Sequence, residues 1–277
     1  GSEGMDFGVI VAMLQLILQI RSPLGSISGY VTAYAEMGVS LDRLYEIIPS
    51  EPATEKISFD KDEFSKIEFN DVSFGYDNEL IIKNATFTVN KGDKVLIKGK
   101  SGIGKSTLVK LLLGVYLPNE GAVTVNDGNE NLGYDVKGAF SFVPQGNTLF
   151  SGSIKSNLIF NGKATSEEIS SALKLACIDE FISELPSGID TVIGEKGVQL
   201  SEGQAQRISL ARSILAKTPV IVLDEFTSAL DAKTESQVID NLSNLENVTM
   251  VIVSHKTEAQ KICNKVIAFS NGEIVVE

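Results

Sequence analysis

The chain has 277 residues, 43% apolar and 22% charged, enough for one large domain with an extension or for two small ones. Its formal net charge of −12 leaves no basic excess to neutralise a phosphate backbone, which argues against a nucleic-acid partner. The two cysteines, Cys177 and Cys263, stand in no CxxC or ligand-spaced cluster, so zinc is unsupported and both are expected as reduced intracellular thiols in apolar helices.

Gly1-Ser2 in place of an initiating Met reads as the scar of a removed tag, and hence as a sign of a longer parent chain. Phe7 to Ile20 (FGVIVAMLQLILQI) is apolar but broken by Gln15 and Gln19, and is shorter than the roughly 20 residues that a bilayer span needs. Glu3 and Asp6 before it make a poor signal peptide. After Pro23, apolar residues recur at Leu24, Ile27, Val31, Tyr34, Leu41, Leu44 and Ile48, the three-to-four spacing of a long helix. Periodicity alone leaves open an amphipathic helix packed on the domain or the end of a membrane helix. Pro49 and Pro52 end this helix and open a linker.

From Ile67 the pattern changes. IEFNDVSFGY and ATFTVNKGDKVLIKG read as short strands separated by turns. Helical patterns follow at Leu108 to Leu113, Glu167 to Phe181, Glu202 to Leu215 and Ala232 to Leu245. Val220 to Leu223 and Met250 to Val253 are wholly apolar and β-branched, as in strands buried on both faces of a parallel sheet. Strand and helix alternate, so the class is α/β.

Gly99 to Ser106 fits GxxxxGK[ST] between the apolar run VLI and a helix, the context a phosphate loop requires. Gly99, Gly102 and Gly104 let backbone N–H groups close around phosphates, and the helix start adds a favourable dipole. Ser101 and Thr107 belong to the same binding loop; Lys105 would reach the β- and γ-phosphates, and the Ser106 hydroxyl would ligate Mg²⁺. In VIVLDE, Asp224 would hold Mg²⁺ and Glu225 would deprotonate an attacking water; the alternative is a carboxylate pair capping the next helix. His255, the only histidine, ends MVIVSH, where it is either an ordinary satisfied residue or a contact to the γ-phosphate.

The order phosphate loop, Gln145, LSEGQ (Leu200 to Gln204), VIVLDE, SALD, His255 resembles the ATP-binding cassette family over about residues 65–277. The resemblance implies a P-loop NTPase (RecA-like) core with an antiparallel β subdomain and an α-helical subdomain at about 146–215, preceded by an N-terminal helix. It implies ATP and Mg²⁺ as ligands and ATP hydrolysis as the reaction. It also implies a second nucleotide-binding domain, homo- or heterodimeric, whose bound ATP is met head to tail by Ser201, Gly203 and Gln204 of this chain. The same resemblance makes Tyr76 the aromatic stacked on adenine and gives His255 the γ-phosphate. Gln145 becomes the glutamine that senses Mg²⁺ and water, and Asp231 the aspartate coupling the two sites. Glu202 departs from the glycine usual in the signature, while Ser201 and Gly203 are kept.

TVIGEKGVQ (Thr191 to Gln199) resembles the exporter-type loop that meets the coupling helices of the transmembrane domain, and FSGSIKSNL after Gln145 likewise resembles exporter sequence. So does the N-terminal pattern ending in LDRLYEII, which implies that 1–50 is the end of the last transmembrane helix with its cytoplasmic extension, 51–64 a linker and 65–277 the nucleotide-binding domain. The expected setting is a cell membrane, contacted through the N-terminal helix, with the nucleotide-binding domain on its cytoplasmic side. A kinase or GTPase would lack LSEGQ, an importer ATPase would lack the N-terminal helix, and ABC ATPases of DNA or ribosomes would want basic surface or long insertions. The transported substrate is not legible.

Overall fold

The computed structural model describes residues 7–47, 64–76, 79–126, 128, 132, 138–160, 162–194, 197–270 and 273–276. Most of the linker, with Pro49 and Pro52, and residues 1–6 with Gly1-Ser2, Glu3 and Asp6, lie outside them. The chain divides into two compact units, 1–54 and 55–277.

In the first unit a single helix, α1 (Phe7–Ile47), runs continuously through Pro23, so that proline lies within the helix and does not bound it. No helix among the described residues is long and apolar enough to cross a membrane.

The second unit contains β1 (Lys66–Tyr76), β2 (Glu79–Asn90), β3 (Lys94–Lys98), α2 (Lys105–Leu112), β4 (Glu120–Val125), β5 (Phe140–Val143), β6 (Gly152–Ser153), α3 (Ile154–Leu158), α4 (Ser166–Leu175), α5 (Asp179–Glu184), β7 (Val192–Ile193), α6 (Glu202–Leu215), β8 (Val220–Asp224), α7 (Ala232–Ser243), β9 (Thr249–Val253), α8 (Thr257–Gln260), β10 (Lys265–Ser270) and β11 (Glu273–Val276). A six-stranded sheet has the order β11-β10-β3-β9-β8-β5, parallel except for β10 with β11. A separate antiparallel sheet has the order β2-β1-β4.

Strand alternation divides the interior. Val95, Ile97, Val220, Val222, Val251 and Val253 face one core, shared with α2 and with Ile67, Phe69 and Val123 of the antiparallel sheet. Leu96, Ile221, Leu223, Met250 and Ile252 face the other, with Ile208 and Leu210 of α6, Ile154 of α3 and Leu173 of α4. Strands buried on both faces are therefore apolar at every position, as the runs at 220–223 and 250–253 lead one to expect.

Three local readings change. The helix expected over Glu167 to Phe181 is two helices, α4 and α5, because the chain reverses at Cys177 with φ of 54°. A capping box at Thr165 and Glu168 starts α4 one residue earlier than periodicity suggests. Neither cysteine sits in a helix; both are free thiols, and burial pushes Cys263 up to about 11.

Candidate functional site

Because β3, β9, β8 and β5 are parallel neighbours, their C-terminal ends open on one edge of the sheet, where α/β folds place ligands. From that edge come the loop 99–104, the Ser254–His255 turn, the Asp224–Glu225 pair and Gln145. Sequence spacing could not place these on one edge; parallel pairing does, with Asp224 opposite Val253 and Ile97 opposite the same residue.

The loop ends at Gly104, whose φ of 116° is left-handed and whose absent Cβ would stand 2.7 Å from Ile81 Cγ2, so glycine is required there on both counts. Lys105 opens α2 and is buried. Its ammonium donates to the carbonyls of Gly99 (2.9 Å) and Lys100 (2.8 Å) and to His255 Nε2 (3.0 Å). An ammonium only donates, so Nε2 is the acceptor in this contact. Burial pulls the Lys105 ammonium down, and the Glu225 and Asp224 carboxylates partly restore it.

Glu225 sits at the centre. Gln145 Nε2 donates to its Oε2 at 2.8 Å, and His255 Nε2 stands 3.4 Å from its Oε1. Burial, and then the neighbouring Glu225 charge, push the Asp224 carboxyl up, with Lys105 opposing. Ser101, Gly102 and Ser106 are exposed along the loop and the first turn of α2. Thr107 is buried and its hydroxyl bonds the Tyr76 hydroxyl at 3.3 Å, which holds the Tyr76 phenol below its usual value. The Tyr76 ring stands edge-on to Phe74 (5.3 Å) and Tyr116 (5.8 Å) and is 41% exposed, a flat platform beside the first turn of α2.

The structure thus unites Lys105, Asp224, Glu225, Gln145 and His255, and separately Tyr76 with Thr107. Ser201, Gly203, Gln204 and Asp231 make their bonds elsewhere. Ser201 N-caps α6 in a capping box: its Oγ accepts from Gln204 N (3.2 Å) and Gln204 Oε1 accepts from Ser201 N (2.9 Å). Gly203 is buried against the Ala229 carbonyl, 2.8 Å from where a Cβ would stand. Asp231 N-caps α7, accepting from Lys233 N (3.1 Å), Thr234 N (3.0 Å) and Thr234 Oγ1 (2.7 Å); the Thr234 bonds hold its carboxyl below the ordinary range.

Among the described residues no three His, Cys, Asp or Glu side chains form a metal cluster. Mg²⁺ does not need one, since it keeps waters and takes one or two carboxylates together with phosphate oxygens. The part-buried Asp224, raised by desolvation and a like charge, fits that demand, because a cation would offset both. No local sequence pattern marks Gln206, which bonds Ser228 and Ala229, or Thr227, Glu235 and Lys256, which bond one another; both sets surround the turn that follows Glu225.

Comparison with known proteins gives consistent matches. A family model described as ABC transporter matches residues 82–228. The leukotoxin export ATP-binding protein LtxB of Aggregatibacter actinomycetemcomitans is 33% identical, over 99% of this chain and 40% of its own. The ATP-dependent lipid A-core flippase of Desulfotalea psychrophila is 34% identical, over 98% of this chain and 48% of its own. A bacterial Atm1-family ABC exporter with ATP bound superposes with a TM-score of 0.73 at 27% identity, covering 99% of this chain and 50% of that one. The chain spans about half the length of the curated relatives it matches.

Proposed function

This chain belongs to the ABC transporter family, and we propose that it carries the ATP-hydrolysing nucleotide-binding domain of an exporter, at residues 65–277. Residues 1–50 are then the end of the last transmembrane helix with its cytoplasmic extension, and 51–64 a linker. The domain works on the cytoplasmic side of a cell membrane, joined to the transmembrane domain of the same transporter. The relatives' names, an export protein and a flippase, support that direction of transport.

In the reaction, backbone N–H groups of 99–104 and the Lys105 ammonium hold the β- and γ-phosphates, and Tyr76 stacks on adenine. Glu225 takes a proton from a water whose oxygen forms the new bond to the γ-phosphorus, while the bond from that phosphorus to the β–γ bridging oxygen breaks and gives ADP and phosphate. His255 holds the γ-phosphate and that water in line, and Gln145 orients Glu225. Mg²⁺, held by Ser106, Asp224 and Gln145, would offset the phosphate charge.

The observation that carries the dimeric reading is the second donor set. The Ser201 cap uses an acceptor lone pair, so its O–H remains a donor, and the Glu202 and Gly203 N–H groups have no intrahelical partner. Three donors therefore remain at an α6 start that does not serve the chain's own Lys105 group, where Ser201 and Glu202 are exposed. They suit the γ-phosphate of a second chain's ATP. A groove of about 330 Å³ lined by Asn147, Phe150, Ile193, Gly194, Val198 and Leu200 joins the two exporter-like loops, and β6 pairs β7 beneath it. This suits a short helix of the transmembrane domain.

The test is ATP hydrolysis per chain measured across a range of chain concentrations, with the molecular mass followed in parallel. Specific activity should rise as dimers form. Equal specific activity in a sample that stays monomeric throughout sinks the reading.

A further inference from the structure

The turn 226–231, exposed at Ser228, Ala229 and Asp231, is held from two sides by side chains that no role above uses. It joins Glu225 to α7, and its start is fixed by burial of Phe226 and Thr227. From one side Gln206 of α6, only 1% exposed, donates to Ser228 Oγ at 3.0 Å and accepts from the Ala229 N–H at 3.4 Å. At Gly203, a turn earlier on α6, a Cβ would stand only 2.8 Å from the carbonyl oxygen of the same Ala229, so α6 packs closely on the turn there. From the other side Lys256, which directly follows His255, donates to the Thr227 carbonyl and to Glu235 Oε2, both at 2.8 Å. Glu235, buried in the first turn of α7, also accepts from Thr227 Oγ1 at 2.8 Å.

A displacement of α6 therefore cannot leave the turn behind without exposing Gln206 unpaired, and the turn cannot move without Lys256. Both alternatives strand buried polar groups, which is costly. The geometry points to Gln206 and Lys256 as positioning residues that tie the α6 start, with Ser201 and Gly203, to His255 and Glu225 of the same chain. The inference rests on the dimeric reading above. When α6 meets the partner's nucleotide, the turn carries that displacement to the groups that act on the chain's own γ-phosphate. Neither side chain is placed on the nucleotide; each acts through the turn.

The experiment compares the full chain with Gln206→Leu, Lys256→Met, Lys256→Arg and the Gln206→Leu/Lys256→Met double variant, by steady-state hydrolysis, ATP titration and thermal melting. Each single loss should lower kcat about tenfold, the scale of one well-made buried hydrogen bond, with KM for ATP within about twofold. The dimeric reading predicts a sigmoidal dependence of the wild-type rate on ATP; that dependence should flatten in both single variants, and Lys256→Arg should recover most of the rate. The double variant should be no slower than the slower single variant, since one path is then cut twice. Unaltered kcat in both single variants, with wild-type turnover rising with concentration, overturns the inference alone. So does a fall in kcat that only follows the folded fraction, leaves the ATP dependence sigmoidal and adds fully in the double variant. Wild-type turnover that ignores concentration overturns the dimeric reading, and the inference with it.

Discussion

The capping box at Ser201 allows a substitution that separates folding from function. Asp is as good an N-cap as Ser, so in Ser201→Asp the Gln204 N–H keeps an acceptor and the α6 dipole gains a favourable negative charge. Ser201→Ala loses the cap, at a cost of about 1 kcal/mol, which corresponds to a fall in Tm of roughly 2–4 °C for a domain of this size. Melting should therefore rank Asp at or above wild type and Ala below it. Hydrolysis should rank otherwise. Ala removes one donor to a charged phosphate, worth about 1.5–3 kcal/mol, or roughly 10–100-fold. Asp sets a carboxylate against the phosphate, and two like unit charges about 4 Å apart at an effective dielectric of about 20 repel by about 4 kcal/mol, roughly a thousandfold. The better-folded variant should be the less active. Mixing gives a stricter assay, because Ser201→Asp spoils only the partner's site and Lys105→Ala only its own. An equal mixture should recover about a quarter of wild-type activity, half the dimers being mixed with one intact site of two. Wild-type turnover in Ser201→Asp, or no recovery on mixing, refutes the assignment of Ser201 to the partner's nucleotide.

Glu225→Gln removes the base but keeps the Gln145 contact through an amide oxygen, so turnover should fall roughly 10²–10⁴-fold while an ATP-bound dimer accumulates on gel filtration; unchanged turnover places the base elsewhere. Tyr76→Ala should raise KM for ATP with kcat nearly constant, because stacking serves ground and transition states alike. Tyr76→Phe, which loses the 3.3 Å bond to Thr107, should give a smaller rise in KM; a loss confined to kcat would contradict the stacking role. For Asp224 the folded carboxyl is raised, so the native state binds its proton more tightly than the unfolded chain and stability falls as pH rises through the folded value. Asp224→Asn should accordingly raise Tm at neutral pH, and the gain should vanish below the ordinary carboxylate value of about 3.9. A Tm difference of the same size at both pH values would show that charge is not its cause.

Much of this was legible because the informative segments are constrained from both sides. The strands β8 and β9 lie between two cores, so every residue of Val220 to Leu223 and Met250 to Val253 had to be apolar. The start of α6 shows in the sequence because a serine with a glutamine three residues later is a local reciprocal cap. The break in the helix at Cys177 was hidden, since a left-handed residue that is not glycine leaves no mark in an apolar periodicity. The candidate-site residues were legible one at a time, but their convergence depends on strand order. The partners of Gln206 and Lys256 are 20 to 30 positions away, and no local pattern reveals such pairs.

Glu225 carries the least legible feature of the site. In an extended strand adjacent side chains face opposite sides, so Asp224 and Glu225 could not both act on Lys105 if β8 simply continued. Asp224 is the last residue in the ladder, opposite Val253, and Glu225 follows with φ of 46°. That left-handed residue breaks the alternation, and both carboxylates then act on the Lys105 ammonium. A non-glycine residue held there costs on the order of 1–3 kcal/mol and persists only where its surroundings over-determine it. Here they do: the Glu225 N–H donates to the Val253 carbonyl at 2.9 Å, its own carbonyl accepts from Ser228 N at 3.0 Å, and Phe226 is sunk in the core. The bonds that hold the turn after Glu225 are thus also the bonds that keep its carboxylate beside Asp224. This is why side chains as remote in sequence as Gln206 and Lys256 bear on the position of the proposed base.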